Sequence, residues 1–398
     1  MRVALLTETW HPYTNGVVTH LSALAAALEE NGHQVMVITA DPDARRHQVD
    51  EKGVLRCPGL AIREVYGYGL ALPFSVKRYR LLKQFRPDVI HIHQEFGIGT
   101  FGMIASKLLG VPLVYTLHTA YDDYLHYLAP PPLISFVRFL SRSYVKFLAS
   151  SAVMATGPSE KAAAYLQARR VSTPFQYIPN GVDHHLFSPD GHTAGMRKEM
   201  RRRLGAREET LLAVFVGRLG KEKNVDELLY YLNEPTLKNK DIRLLIVGEG
   251  PERKSLEQQS MKLGMSERVI FMGKIPHEEM PAFLHGSDVY ITASTTEMMS
   301  MSMLEARSMG LPVIQREDPW NRDQVMDGVN GFVYRDASSM AKRLLAFYQL
   351  APKEWDEWRQ RCVKSVAQQG SGHLASHMLS VYQQALNMYG QQTTEKMA

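Results

Sequence analysis

The sequence is poor in cysteine and in long apolar runs. Cys57 and Cys362 are the two cysteines among 398 residues, and they lie far apart. This argues against the disulfide framework of a small secreted protein and fits a reducing compartment. The first apolar stretch, Val3 to Leu6, stops at Glu8, and no run reaches the roughly 20 apolar residues of a membrane-spanning helix. We therefore expect a cytoplasmic protein.

Recognisable nucleic-acid modules are absent as well. The sequence has no zinc-finger spacing, no aromatic RNA-binding signature and no basic zipper, so nucleic acid is not an expected partner. The net charge of +5 is mildly basic. It favours anionic partners in general, which include phosphorylated ligands and an anionic membrane surface.

Strand and helix patterns alternate along the chain. Arg2 to Thr7 is predicted to be a strand, Val17 to Asn31 a helix, and Gln34 to Thr39 a second, parallel strand. The same pattern predicts strands at Val89 to His93, Leu113 to His118, Ala152 to Thr156, Leu211 to Val216, Arg243 to Val247, Val269 to Met272, Val289 to Thr292 and Pro312 to Ile314. Such alternation predicts an α/β fold with doubly wound, Rossmann-like sheets.

A turn-rich stretch, Phe187 to Gly195, separates two series of these units. We predict a first domain over residues 1–185, a second over residues 186–372, and a C-terminal helix and tail over residues 373–398 that can return to the first domain. In doubly wound sheets, ligands bind beyond the carboxyl ends of the strands. With two such domains facing each other, the expected site is the cleft between them.

Four charged residues stand close to predicted strand ends in the second half. Arg218 and Lys223 follow one strand, and Glu297 and Glu305 flank the start of a helix near Ser300. A guanidinium fork, an ammonium group and the free N–H groups of a helix start all bind phosphate. The two acids can accept hydrogen bonds from sugar and ribose hydroxyls. The set suits a nucleotide diphosphate sugar and needs no metal, although paired acids are also common on solvated helix faces.

Several motifs surround these residues. They are Val216-Gly217-Arg218-Leu219 with Lys223-Asn224, Val247-Gly248-Glu249-Gly250-Pro251, Glu297 through Leu304-Glu305-Ala306, Gly310-Leu311-Pro312-Val313-Ile314 and, near the amino end, Thr9-Trp10-His11-Pro12 with Asn15-Gly16-Val17. Together they resemble the family-4 retaining glycosyltransferases, over essentially the whole chain. The resemblance implies the GT-B fold, hexosyltransferase activity, no required cofactor, and a nucleotide-sugar donor, for which UDP-glucose is expected.

The resemblance also implies roles for single positions. Gly16 lets the backbone approach the phosphates and the acceptor, and His118 lies near the transferred sugar. The implied catalytic residues are His118, Arg218, Lys223 and Glu297, and the donor-binding residues are Gly16, Arg218, Lys223, Gly248, Ile275, Glu297, Met299, Ser300, Met301 and Glu305. The family commonly has Phe-Gly or Phe-Cys where this chain has Met299-Ser300, which bears on donor specificity.

Two further stretches are similar to the bacterial enzymes that place glucose on diacylglycerol. They run from Pro87 to Phe96 and from Tyr115 to Tyr127. This likeness implies a lipid acceptor, with Tyr121, Tyr124 and His126 near it, and a peripheral position on the inner face of the cell membrane. The same donor chemistry on a soluble or polyprenyl-linked saccharide is the main alternative. A nucleotide-sugar epimerase is a more remote one.

The stretch from Leu133 to Leu148 is predicted to be an amphipathic helix. Arg138, Arg142 and Lys146 fall on one stripe, and Phe136, Leu140, Tyr144 and Phe147 share a broad apolar side. Such a helix can lie on an anionic membrane or pack on the sheet, and both interpretations stay open. A second basic run, Lys77, Arg78, Arg80, Lys83 and Arg86, could add to membrane attraction or form a solvated face, and a solvated face is favoured. A third, Arg197, Lys198, Arg201, Arg202 and Arg203, is expected on an exposed helix.

Two competing signals point to other chemistry. Residues 97–102 match the G-x-G-x-x-G dinucleotide fingerprint, with Asp122 about twenty residues further on, but they do not occupy the first strand–helix unit. His91, His93 and Glu95 share one face of a strand and could bind a metal. Such histidines are more often hydrogen-bonded inside a sheet, so we expect no metal there.

Overall fold

The computed structural model describes residues 1–13, 15–62, 68–120, 122, 131–319 and 324–397. The chain divides into two compact units. Unit 1 is Met1–Gly181 together with Ser371–Ala398, and unit 2 is Val182–Gly370. The C-terminal segment thus belongs to the same unit as the amino-terminal residues.

Unit 1 is built on a mostly parallel sheet. Its strands are β1 Arg2–Thr7, β2 Gln34–Asp41, β3 Gln48–Val49, β4 Leu55–Ile62, β5 Tyr68–Ala71, β6 Val89–Ile92, β7 Leu113–Thr116, β8 Met154–Gly157 and β9 Phe175–Tyr177. Over the described residues the order is β3-β4-β2-β1-β6-β7-β8-β9, and β5 pairs antiparallel with β4. Because β1 lies between β2 and β6, the strand order reverses beside β1, where such sheets bind ligands.

Unit 2 repeats this plan with parallel strands alone among its described residues. They are β10 Leu211–Val216, β11 Ile242–Val247, β12 Val269–Gly273, β13 Val289–Thr292, β14 Val313–Arg316 and β15 Gly331–Tyr334. Their order is β12-β11-β10-β13-β14-β15, so the reversal lies at β10, between β11 and β13. The carboxyl end of β10 is therefore the expected binding edge of unit 2.

Helices cover both faces of each sheet, as parallel strands require. They are α1 Gly16–Glu30, α2 Val76–Phe85, α3 Gly97–Leu109, α4 Ile134–Ser151, α5 Glu160–Gln167, α6 Ala194–Arg203, α7 Val225–Leu232, α8 Arg253–Lys262, α9 Met280–Gly286, α10 Met301–Ser308, α11 Ala337–Tyr348, α12 Pro352–Val366 and α13 Ser371–Met397. Among these described helices, none has both the length and the apolar content that crossing a membrane would require.

The central strand of unit 2 shows how the core forms. Ala213 and Phe215 point into the apolar cluster on one face of the sheet, whereas Leu212 and Val214 point into the cluster on the other. Alternate side chains leave a strand on opposite faces, so a continuous apolar strand needs cover on both sides. Each fully buried Leu, Val or Phe side chain contributes roughly 1.5–3 kcal/mol. In unit 1, α13 supplies part of this cover by packing against α1 in one cluster with β1.

Several elements differ from the sequence-based prediction. The strands β3, β4, β5, β9 and β15 were not predicted, and α3, which the sequence pattern predicts from Phe101 to Leu109, begins at Gly97. Pro58 and Gly59 lie inside β4 and weaken its strand signal, because proline cannot donate to a ladder. Gly99 and Gly102 allow the first turns of α3 to pack closely on their neighbours. A Cβ on Gly102 would lie 2.5 Å from Ile92 and 2.7 Å from Leu6.

Two basic runs are less solvated than predicted. Arg78 is 1% exposed, donates to the carbonyl of Leu72 at 2.5 Å and stacks on the Phe101 ring. In α6, Arg197 and Arg201 both pair with Asp288, and Arg201 is 5% exposed. The prediction of a solvated position was wrong for these three arginines. Each side chain reaches a polar partner below the surface, which a charge run alone does not reveal.

Candidate functional site

Arg218 lies just beyond the carboxyl end of β10. Its guanidinium donates to Oε1 of Glu222, whose side chain is 1% exposed, whereas that of Arg218 is 26% exposed. The loop between them is tight, since a Cβ on Gly220 would lie 2.4 Å from the Glu222 carboxylate. A buried acid therefore holds the arginine at the end of the central strand. The sequence did not single out Glu222, because an acid four residues from an arginine is common.

Lys223 and Glu297 meet in an ion pair. The ammonium group donates to Oε1 of Glu297, with side-chain exposures of 14% and 25%. Asn224 adopts a left-handed conformation and donates from its side chain to the carbonyl of Ala293 at 3.2 Å. That bond ties the loop after β10 to the loop after β13. The two predicted site residues that are far apart in sequence are thus in direct contact.

Gly248 follows β11 and makes the close packing of neighbouring loops possible. Its φ of 143° is unfavourable for other residues, and a Cβ there would lie 1.9 Å from the carbonyl oxygen of Gly217. Only glycine fits at this backbone crossing. Gly248 is therefore required for the backbone shape of the binding edge.

The helix α10 begins at the same edge. Ser300 caps it, with its hydroxyl accepting from the backbone N–H of Met303 at 3.4 Å. The backbone N–H of Ser300 donates to Gln324 at 2.9 Å. Met299 and Met301 are buried on either side of the cap. The helix therefore starts where the sequence predicted, and the positive end of its dipole lies beside the charged pairs.

Glu305, one turn into α10, pairs with a residue that the sequence did not indicate. Nε2 of His277 lies 2.8 Å from Oε1 of Glu305. Burial raises the pKa of the Glu305 carboxyl, and His277 opposes that rise. The hydrogen bond to Glu305 raises the pKa of His277 above its ordinary 6.5. Ile275, half-buried two residues before His277, completes this part of the edge.

The binding edge of unit 1 is organised around the loop after β1. Oε1 of Gln94 accepts from the backbone N–H groups of Glu8 and Thr9, at 2.8 and 2.9 Å. Asn15 caps α1 by accepting from the N–H of Val18 at 2.9 Å, which leaves Gly16 exposed as the first residue of the helix. The predicted site residue Gly16 therefore stands at a helix start, on the loop side of the sheet.

His118 lies in a cluster of imidazoles beyond the same strands. Its Nε2 is 3.0 Å from Nδ1 of His93, and the ring of His20 lies 4.8 Å away. Burial lowers the pKa values of all three, that of His20 to about 4, so they are neutral at pH 7. His20 is on α1 and was not predicted, because one histidine in an apolar helix gives no functional signal.

The metal set considered from the sequence does not assemble. His91 is hydrogen-bonded by Tyr382 at 2.8 Å and by Thr116 at 2.6 Å. Glu95 accepts from the hydroxyl of Tyr115 at 2.5 Å. Of the three residues considered, His93 alone joins the imidazole cluster of His118.

The other predicted residues of unit 1 have varied settings. Tyr121, Tyr124 and His126 lie outside the described residues. Asp122 is ion-paired with Arg142 at 3.0 Å and with Arg169 at 2.7 Å. Residues 97–102 form the first turns of α3, where a Cβ on Gly97 would lie 1.8 Å from the carbonyl oxygen of Ala71. These glycines are explained by packing, which removes support for the dinucleotide fingerprint.

The helix α4 has apolar residues on two opposite faces. Val145, Leu148 and Ala149 are buried against the unit. Phe136, Phe139, Leu140 and Phe147 are 61%, 66%, 48% and 52% exposed. Tyr144, which we had grouped with this apolar side, instead turns inward and donates to the carbonyl of Glu95 at 2.8 Å. Arg138 is half-buried and Arg142 and Lys146 are exposed, on the flank between these two faces.

Comparisons with known proteins agree with this architecture. Residues 14–186 match the model of Glycosyltransferase Family 4, and residues 196–365 match that of Glycosyl transferases group 1. The chain is 30% identical over 357 residues to the α-monoglucosyldiacylglycerol synthase of Acholeplasma laidlawii, covering 88% of each chain. It is also 30% identical to the enzyme of that name from Streptococcus pneumoniae, covering 87% of this chain and 78% of that one.

A solved structure shares the fold. Anabaena Alr3699/HepE in complex with UDP superposes with a TM-score of 0.75 at 18% identity, over 96% of this chain and all of that one. The solved structures that share this fold are GT-B glycosyltransferases, and this chain likewise has two Rossmann-like domains. Taken with the two synthases, this shows that the chain belongs to the family-4 retaining glycosyltransferases of the GT-B fold and is a hexosyltransferase.

Proposed function

We propose that the protein transfers glucose from UDP-glucose to a hydroxyl of a membrane lipid such as diacylglycerol, with retention at the anomeric carbon. The observation that carries the donor half is the row of three charge pairs at the binding edge of unit 2. The names of the two synthases support glucose and the lipid, and the UDP bound to the Anabaena protein supports the nucleotide.

The charge pairs suit a ligand with a diphosphate between two groups of hydroxyls. Arg218 and Lys223 are the cations, and each is held in place by an acid of the same edge. A diphosphate can take the place of part of these contacts, because bidentate guanidinium and ammonium bonds to phosphate are strong. The start of α10 adds N–H groups and a favourable dipole. Glu297 then accepts from the hexose and Glu305 from the ribose.

The proposed reaction breaks the bond between the anomeric carbon and the phosphate oxygen. The lipid hydroxyl oxygen forms the new bond on the same face, and its proton passes to an oxygen of the departing diphosphate. The transition state has oxocarbenium character, as in glycoside cleavage. Arg218 and Lys223 stabilise the negative charge that develops on UDP. His118, neutral because burial lowers its pKa, can hydrogen-bond a sugar hydroxyl without adding a cation beside the oxocarbenium ion.

The lipid half of the proposal is supported by α4. The exposed side chains of Phe136, Phe139, Leu140 and Phe147 form one apolar face on a helix that carries Arg142 and Lys146. An amphipathic helix of this kind can insert its apolar face into the lipid interface while its basic residues remain at the headgroups. We propose that unit 1 binds the inner face of the cell membrane through this helix.

A second exposed patch lies in unit 1. Leu60 and Leu70 are cross-strand neighbours on β4 and β5, and Leu72, Phe74 and Val76 follow them in sequence, all exposed. The patch leads into the exposed basic side chains of α2, which include Lys77, Arg80 and Lys83. An apolar patch next to basic residues again favours an anionic membrane surface.

The test is a transfer assay with labelled UDP-glucose and vesicles that contain diacylglycerol and an anionic lipid. We expect label in the lipid fraction, and the anomeric configuration of the product should equal that of the donor by NMR. Parallel reactions offer a soluble oligosaccharide, a polyprenyl-linked saccharide, or GDP-mannose as donor. Label that enters only a saccharide would contradict the lipid acceptor. Transfer that occurs only with another donor would contradict UDP-glucose.

The role of α4 can be tested separately. Replacing Phe136 and Phe139 by serine should weaken co-sedimentation with anionic vesicles roughly tenfold or more. Each phenylalanine side chain that moves from water into the lipid contributes roughly 1.5–3 kcal/mol. UDP binding should not change. The matched control is Tyr230→Ser, which removes a 65%-exposed aromatic from α7 in unit 2. Equal vesicle binding by both variants would contradict a membrane role for α4.

A further inference from the structure

The imidazole cluster of unit 1 brings together three potential metal ligands. His20 lies on α1, His93 follows β6 directly, and His118 follows β7. One ring nitrogen from each lies within 4.8 Å of one from each of the others. The three residues come from distant parts of the sequence, and the parallel sheet places them at one edge.

Two nitrogens of the cluster are unsatisfied. Within the described part of the chain, Nδ1 of His20 and Nε2 of His93 are buried and have no hydrogen-bond partner. His20 and His93 are 3% and 1% exposed, respectively. Leaving a buried polar atom without a partner costs roughly 1–3 kcal/mol. A metal cation that accepted lone pairs from these ring nitrogens would remove part of that cost.

The arrangement of the three rings and of the residues beside them favours the binding of a cation. The three rings lie together at one edge, with centroids 4.8 Å apart for His20 and His118, 5.3 Å for His93 and His118, and 5.9 Å for His20 and His93. The side chain of Asn180 hydrogen-bonds His20 and so helps to fix the orientation of that ring. His91, although its ring is 3.8 Å from that of His93, has hydrogen bonds at both nitrogens and stays outside the set.

We propose that His20, His93 and His118 form a binding site for one divalent transition-metal cation, with Zn²⁺ as the representative ion. Three imidazoles without a carboxylate favour Zn²⁺, Cu²⁺ or Ni²⁺ over Mg²⁺ and Ca²⁺, which prefer oxygen. Tetrahedral coordination at about 2.0–2.1 Å places ligand nitrogens about 3.4 Å apart, so modest side-chain shifts close the site. Three histidines leave a fourth position open for water.

Occupation of this site inhibits transfer. Binding engages a nitrogen of His118, the residue expected beside the transferred sugar, and places two positive charges next to it. A cation there opposes the positive charge that develops on the sugar ring in the transition state. This consequence depends on the proposed function, whereas the binding of the ion does not.

Cobalt binding tests the site without substrate. Protein freed of metal with a chelator is titrated with Co²⁺, and its visible absorption is recorded before and after competition with Zn²⁺. We expect one Co²⁺ per chain, with the intense absorption of tetrahedral coordination, displaced by Zn²⁺. The His93→Ala and His20→Leu variants should bind at least roughly tenfold more weakly, because each loses a ligand. His377→Ala, which removes an exposed histidine from α13, is the control.

Each outcome bears on the proposal. Wild-type protein without a tetrahedral spectrum, or variants that bind as tightly as wild type, would overturn the site. The variant His20→Leu replaces the imidazole, whose Nδ1 has no partner, by a side chain of similar size. Thermal unfolding of this variant shows whether weaker binding reflects the lost ligand or a loss of folded protein. If Zn²⁺ binds but transfer continues at full rate, the inhibitory role is wrong. If no glucose transfer occurs in the absence of Zn²⁺, the proposed function fails while the metal site stands.

Discussion

The two units have the same sheet plan but opposite electrostatics at their binding edges. In unit 2 the edge carries Arg218, Lys223 and His277, each paired with an acid. In unit 1 the corresponding edge carries neutral imidazoles, of which His20 and His93 are buried, and Glu8, which is 3% exposed. Burial raises the pKa of Glu8 to about 7, and the nearby Arg78 only partly opposes that rise.

This difference shows that the fold supplies an edge and the side chains decide its chemistry. Charge pairs at the end of β10 are prepared to exchange one anion for another, which suits a diphosphate. The neutral imidazoles beyond β6 and β7 suit hydroxyls or a metal cation, and they avoid attracting a second anion. Four substitutions test this contrast.

The largest expected effect belongs to Arg218→Ala. The turnover number should fall about a hundredfold or more, because the charge on the departing diphosphate loses its guanidinium. Steady-state release of UDP in the presence of lipid acceptor measures the change. Arg335→Ala, which removes a 75%-exposed arginine of unit 2, should leave turnover unchanged. Normal turnover in Arg218→Ala would contradict the role of Arg218 in stabilising the departing diphosphate.

Glu305→Ala should raise the KM for the nucleotide sugar by roughly 10- to 100-fold, since hydrogen bonds to a charged acceptor contribute about 1.5–3 kcal/mol. Turnover at saturating donor should change much less. Glu305→Gln keeps an acceptor oxygen, so its KM for the nucleotide sugar should lie between those of wild type and Glu305→Ala. Calorimetric titration with UDP checks the same loss without acceptor, and equal affinity in wild type and Glu305→Ala would contradict the ribose role.

Glu8→Gln addresses the stability of unit 1. An acid whose pKa is raised by folding destabilises the protein increasingly as the pH rises from 4.5, its ordinary value, to about 7. The glutamine variant, which mimics the protonated acid, should therefore be more stable than wild type at pH 8, by roughly 1–3 kcal/mol. The gain should vanish near pH 4.5. Denaturant unfolding at both pH values measures it, with the exposed Glu29→Gln as the control.

His277→Ala should have the smallest effect, a rise in donor KM of roughly three- to tenfold. The hydrogen bond that it removes orients Glu305 and favours its ionised form, whereas Glu305 itself remains. The raised pKa of His277 means that the charge-assisted bond is present below pH 6.5 and weakens as the pH rises through the higher, folded-state value. The alkaline decrease of kcat/KM for the donor should flatten in His277→Gln. An unaltered pH profile would leave His277 with a merely structural role.

Much of the fold follows from local patterns. The strands Arg2–Thr7, Leu211–Val216 and Val289–Thr292 occur at the predicted bounds, since short apolar runs bounded by turn signals are strong local signals. The strands β4 and β5 were missed, because their pairing depends on partners elsewhere in the sheet. The start of α10 was predicted because Ser300 and the helix pattern lie side by side in sequence.

The sequence alone specified two parallel α/β units and the residue types of the donor edge, because strand periodicity and the charged motifs around Arg218 and Glu297 are local. Tertiary structure decided which residues meet. Lys223 with Glu297, His277 with Glu305, and His20 with His93 are far apart in the chain. Burial, which sets their charge states, depends on the packing of several elements at once, and no local stretch of sequence carries that information.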